Sequence, residues 1–136
     1  MIAYLDGSVV LRLVLGEPSP LANRQRFTGA VASALTEVEC LRTLDRLARM
    51  GGLSVDEVAD RRMELYRLLE QVELTDVTRP VLRRASEPFP TPLGTLDAIH
   101  LATALSLGPE LGGMVVYDRR LADAARRAGV TVWAPG

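Results

Sequence analysis

The segment Gly113-Met114-Val115-Val116-Tyr117-Asp118-Arg119-Arg120-Leu121-Ala122 carries the strongest structural signal in the chain. An uncharged apolar run of this length, opened by glycine and closed by an acid, predicts a buried strand over 113–117, restated from Met114 if the glycine is set aside. A helix over 119–128 follows, closed by Gly129, and Val130 to Trp133 read as a further strand. Strand, acid, helix, strand is the grammar of parallel pairing, because parallel neighbours need a crossover between them.

The same grammar runs outward to the N-terminus. Ile2 to Leu5 is a short apolar run closed by Asp6-Gly7-Ser8, and Ser8 can cap a helix from Val9 to Leu15 that Gly16 and Pro18 stop. A second helical piece is read over Leu21 to Phe27, ending at Gly29. A strand follows over Ala30 to Ala34, although alanine is a poor strand former. Leu35 to Arg49 has helical spacing and ends at Gly51-Gly52. Ser54 and Glu57 form a capping box for a helix reaching Gln71. Val72 to Val77 alternates as a strand does, Arg79 to Ser86 is helical, a proline-rich stretch spans 88–92, and Thr95 caps an apolar helix over Leu96 to Leu107. The expectation is one α/β domain, residues 1–136, with a mainly parallel sheet covered on both faces and a helical hairpin over 35–71. In such sheets ligands bind beyond the carboxyl ends of the strands, where strand order reverses.

Composition narrows the chemistry. All 16 basic residues are arginine. The absence of lysine removes P-loop phosphate binding and Schiff-base catalysis. One histidine, His100, and one cysteine, Cys40, cannot build a Cys/His zinc cluster or an internal disulfide. No Gly-x-Ser-x-Gly elbow accompanies His100 as a triad would require. No apolar run reaches the ~18 residues of a membrane span, and no basic segment precedes the first apolar run, so a cytoplasmic protein is expected. A net charge of −1 excludes a uniformly basic nucleic-acid binder, although paired arginines recur at 61–62, 83–84, 119–120 and 126–127.

Carboxylates remain. Asp6 and Asp118 each close a strand, and Asp97 opens a helix so apolar that near-burial is expected of it. Each has an ordinary structural explanation as turn, first-turn or capping residue. Together at one sheet edge they repel unless a cation is shared, and oxygen-only ligands select Mg²⁺ or Mn²⁺. Glu37 and Glu39 compete as a fourth acid, and periodicity does not choose; an exposed Glu39–Arg42 pair is the structural alternative for the second.

Four blocks resemble the PIN domain, and more narrowly the VapC-type toxins of toxin–antitoxin pairs. They are Tyr4-Leu5-Asp6-Gly7-Ser8, Ser33-Ala34-Leu35 running on to Glu39, Leu96-Asp97-Ala98-Ile99-His100-Leu101-Ala102-Thr103-Ala104, and Val116-Tyr117-Asp118-Arg119-Arg120-Leu121-Ala122. The resemblance implies a three-layer α/β/α sandwich whose acids, Asp6, Glu39, Asp97 and Asp118, hold Mg²⁺ or Mn²⁺ for hydrolysis of RNA. It carries the fourth role to Glu39 rather than Glu37. It implies Ser8 as a partner of Asp6 or of a metal-bound water. His100, Arg119 and Arg120 are candidates for positioning substrate, with a structural helix role the alternative for His100. A small antitoxin and a homodimer are the implied partners; the apolar Met50, Leu53, Met63 and Tyr66 of the hairpin offer surface for one, with core packing within the chain the equal alternative. The chain departs from the family pattern at Gly7 and Val116, where a hydroxyl residue is usual. A weakly active or inactive RNA- or protein-binding relative is therefore the alternative function.

Overall fold

The computed structural model describes residues 1–17 and 28–133. The helical piece expected over 21–27 lies outside the described residues. Strands β1 (Ile2–Leu5), β2 (Gly29–Ser33), β3 (Glu73–Thr75), β4 (Leu111–Val115) and β5 (Val132–Trp133) form one sheet in the order β3-β2-β1-β4-β5. Every neighbouring pair is parallel. Strand order therefore reverses between β1 and β4, and the crevice at their carboxyl ends is the ligand position of such sheets.

Among the described residues six α-helices supply the outer layers: α1 (Gly7–Val14), α2 (Leu35–Arg49), α3 (Val55–Glu70), α4 (Arg79–Ala85), α5 (Thr95–Ser106) and α6 (Arg119–Arg127). Alternation along β1 divides the core. Ala3 and Leu5 pack with Val9, Val10 and Val14 of α1, Cys40 and Leu44 of α2 and Leu65 of α3. Tyr4 points the other way, among Leu101 and Ala104 of α5 and Leu121, Ala124 and Ala125 of α6. The result is the expected three-layer sandwich. The hairpin is α2 and α3, with the Ser54–Glu57 capping box formed as expected. Met50, Met63 and Tyr66 are exposed on it, while Leu53 turns inward against the core.

Several boundaries shift for identifiable reasons. β4 ends at Val115 rather than Tyr117. Its last partner on β1 is Leu5, and beyond that point Asp6 has already turned the chain into α1. β3 shrinks to three residues because it is an edge strand paired only with β2, which stops at Ser33. Ser8 does not cap α1: Asp6 occupies the cap position with extended backbone, and Ser8 lies inside the helix. At α5 the cap position belongs to Gly94, and Thr95 is the first helical residue. Gly113 is favoured by packing, since a Cβ there would collide with the Trp133 ring.

Candidate active site

The four acids arrive at one edge from four different elements. Asp6 follows β1 at the crevice, buried, its backbone N–H donating to Val115 O at 3.1 Å and so closing the β1–β4 ladder. Its carboxylate makes no cap bond to α1; instead Ser8 Oγ donates to Asp6 Oδ2 at 2.6 Å. Glu39 projects from α2, one residue before buried Cys40, and its Oε1 lies 2.7 Å from His100 Nε2. The same imidazole nitrogen is 4.0 Å from Asp6 Oδ1. Asp97 is in the first turn of α5, half-buried rather than nearly buried as its apolar surroundings in sequence suggested. Helix α5 turns its apolar face inward, and Asp97 stays toward the crevice. Asp118 is exposed at the N-cap of α6, its Oδ1 accepting the Leu121 N–H at 2.8 Å.

Of the two roles open to His100 in the sequence, positioning substrate or serving the helix, its burial favours the second. It is 1% exposed, and both ring nitrogens are engaged: Nε2 by Glu39 and Nδ1 by the Tyr4 hydroxyl at 2.7 Å. The structural alternative for Glu39 fails, because Arg42 instead reaches Asp45 at 3.4 Å. Tyr4 was not singled out in the sequence. Its signal was available: β1 is otherwise aliphatic, and a buried phenol requires a partner for its hydroxyl. Arg119 and Arg120 are exposed beside Asp118 and make no salt bridge among the described residues.

The electrostatics are those of clustered anions facing a single imidazole. Partial burial raises the Asp97 pKa above its ordinary value, and the charges of Asp6 and Asp118 raise it further against the opposing pull of His100. Burial by itself would lower the pKa of His100, but the Glu39 hydrogen bond and the charges of Asp6, Glu39 and Asp97 outweigh it, and the net shift is upward. The Cys40 thiol is pushed up to about 12 by burial and then by Glu39 and Asp6, so it is protonated and unreactive. Among the described residues no arginine forms a salt bridge with any of the four acids. Nor do three of their carboxylates, or His100, already converge as a ligand set. Asp118 is committed to its helix cap and Glu39 to His100. The donor chemistry, oxygen anions mutually repelling in a partly buried crevice, fits a hard divalent cation.

Known proteins share this architecture. Residues 3–127 match the PIN domain family. Ribonuclease VapC46 of Mycobacterium tuberculosis is 38% identical over 135 residues, spanning 97% of this chain and 96% of the relative. Ribonuclease VapC47 of the same species is 32% identical over 141 residues, covering 98% and 96%. Two solved structures have the same fold at low identity. They are VapBC2 from Rickettsia felis bound to a promoter DNA fragment (TM-score 0.70, 14% identity, 98% of each chain) and FitAcB from Neisseria gonorrhoeae (TM-score 0.67, 19% identity, 99% and 98%).

Proposed function

The chain belongs to the PIN domain family, and from that premise we propose that it is a Mg²⁺- or Mn²⁺-dependent endoribonuclease, the toxin of a toxin–antitoxin pair. The observation that carries the reading is that Asp6, Glu39, Asp97 and Asp118 stand around the crevice where strand order reverses, near enough for the charges of the other three to add to burial in raising the Asp97 pKa, and that among the described residues no arginine is paired with them. Relatives named as VapC ribonucleases, aligned over nearly the whole chain, support the activity.

In this reading the four carboxylates would hold the cation, which would supply Lewis acidity toward water and toward the phosphate oxygens. The protein's own part is orientation. Ser8 fixes one oxygen of Asp6, and His100 fixes one oxygen of Glu39. Arg119 and Arg120, exposed beside Asp118, contact RNA phosphates and so position the strand without reading its bases. No side chain acts as nucleophile, which agrees with a protonated Cys40 and a histidine already occupied on both nitrogens.

An antitoxin is the proposed protein partner. The exposed Met63 and the groove it shares with Leu13, Asp60, Arg61, Glu64 and Arg67 offer a mixed apolar and charged surface between α1 and α3. We also propose a homodimer, and a reducing cytoplasm, which suits the buried free thiol of Cys40. Among the described residues no helix is long and apolar enough to cross a membrane.

The test is cleavage of single-stranded RNA by the purified protein with Mn²⁺ and with EDTA. Turnover that requires Mn²⁺ is expected. RNA binding without metal-dependent turnover would replace the nuclease by a binding module.

A further inference from the structure

We propose that His100 is a positioning residue of this site: anchored by Tyr4 at Nδ1, it donates from Nε2 to Glu39 and holds that carboxylate in the crevice for the cation. The inference rests on the ribonuclease reading and adds to it a residue outside the four acids.

Three observations carry it. The chain Tyr4 Oη, His100 Nδ1, His100 Nε2, Glu39 Oε1 is continuous at 2.7 Å and 2.7 Å. It runs from the core under the sheet, where Tyr4 and His100 are 0% and 1% exposed, to the half-buried carboxylate at the edge. Its direction at the Glu39 end does not depend on the charge of the ring. An ionised carboxylate has no proton to give, so hydrogen must sit on Nε2 in the neutral and the protonated imidazole alike. The third observation is Gly7. A Cβ at that position would lie 3.1 Å from Glu39 Oε2, so the missing side chain is the space this carboxylate occupies. Glu39 is thus tied at one oxygen by His100 and accommodated at the other by Gly7.

A histidine serving only the core would be satisfied by any two buried partners. Here one partner is an acid of the site, and a second, Asp6, stands 4.0 Å away. Outer-shell partners of this kind orient ligands, and losing them typically costs roughly 10- to 100-fold in metal affinity or activity.

The test measures Mn²⁺ affinity by calorimetry or by the electron paramagnetic resonance of free Mn²⁺, alongside RNA cleavage. His100→Leu is expected to weaken both by about 10- to 100-fold. His100→Gln is expected to recover part of the loss, since its amide can donate near the former Nε2 position. In the Glu39→Gln background, adding His100→Leu is expected to cost less than about 3-fold, because residues acting through one another are non-additive. Being the only histidine in the chain, His100 gives a single assignable imidazole ¹⁵N pair, expected to carry its proton on Nε2. Tyr4→Phe keeps the ring and removes the anchoring hydroxyl. It is expected to weaken Mn²⁺ binding, and it carries the test if His100→Leu does not fold. Wild-type Mn²⁺ affinity in folded His100→Leu or in Tyr4→Phe overturns the proposal, as does full additivity with Glu39→Gln or a bare Nε2. A wild-type protein that neither binds Mn²⁺ nor cuts RNA would instead sink the parent reading.

Discussion

The two halves of the acidic crevice are built differently. On the side of Asp6 and Glu39 each carboxylate has one oxygen tied by a neighbouring side chain, Ser8 at 2.6 Å and His100 at 2.7 Å, and the support runs into the buried core through Tyr4. On the side of Asp97 and Asp118 the carboxylates are more open. Among the described residues Asp97 makes no side-chain hydrogen bond or salt bridge, and Asp118 is engaged only with the backbone of its own helix. The first half is preorganised at the cost of burying polar groups. The second is less tied, and at Asp97 partial burial, with the charges of Asp6 and Asp118 added to it, raises the pKa. A site divided in this way has one wall of carboxylates tied by neighbouring side chains and one wall of more open carboxylates.

Substitutions on either wall can break or sharpen that contrast. The largest effect is expected from Asp97→Asn: loss of a direct charge should lower Mn²⁺-dependent RNA cleavage at least about 100-fold, the kinetic equivalent of roughly 3 kcal/mol. Its effect on stability has the opposite sign. An acid whose folded-state pKa is raised contributes no penalty below its unfolded value of 3.8 and a full one once pH has passed the raised value. Asp97→Asn should therefore raise the metal-free melting temperature at pH 7 and leave it unchanged near pH 3. Equal cleavage by the variant would remove Asp97 from the site.

Asp118 separates its two roles. Asp118→Asn retains an N-cap acceptor and should lower cleavage with little change in urea midpoint, whereas Asp118→Ala should also lose about 1 kcal/mol of stability with the cap. If both variants cut RNA normally, the more open wall is, at Asp118, only a helix terminus.

The smallest effect is expected at Gly7. It lies at the start of α1 with ordinary helical backbone, so alanine there should not strain the chain and should slightly favour the helix. The added Cβ would still displace Glu39 Oε2 by a few tenths of an ångström. Gly7→Ala should thus cost a few-fold in cleavage while thermal stability holds or rises, on the order of 0.5 kcal/mol. A variant with undiminished cleavage would show that Glu39 tolerates displacement and that the first wall is less rigid than its hydrogen bonds imply.

Most of the architecture was legible in the residue order. Short apolar runs ended by acid or glycine, alternating with helical spacing, dictate parallel strands with crossovers, because backbone polar groups must pair and crossovers must cover both faces. The positions of Asp6, Asp97 and Asp118 at element termini followed from the same pattern, since a terminus is marked by local chemistry. Strand lengths did not follow, because β3 and β4 end where their neighbours end. The choice between Glu37 and Glu39 was equally closed to helical periodicity; the resemblance favoured Glu39, and the fold brings its carboxylate to His100, 61 positions away. Tyr4 and His100 are 96 positions apart, and nothing in either local context announces the other. Local propensity and periodicity act within a few residues, so they determined which elements this chain forms and where their charged ends fall. Which side chains touch across the sheet edge depends on register and packing summed over the whole chain, and only the tertiary structure decided it.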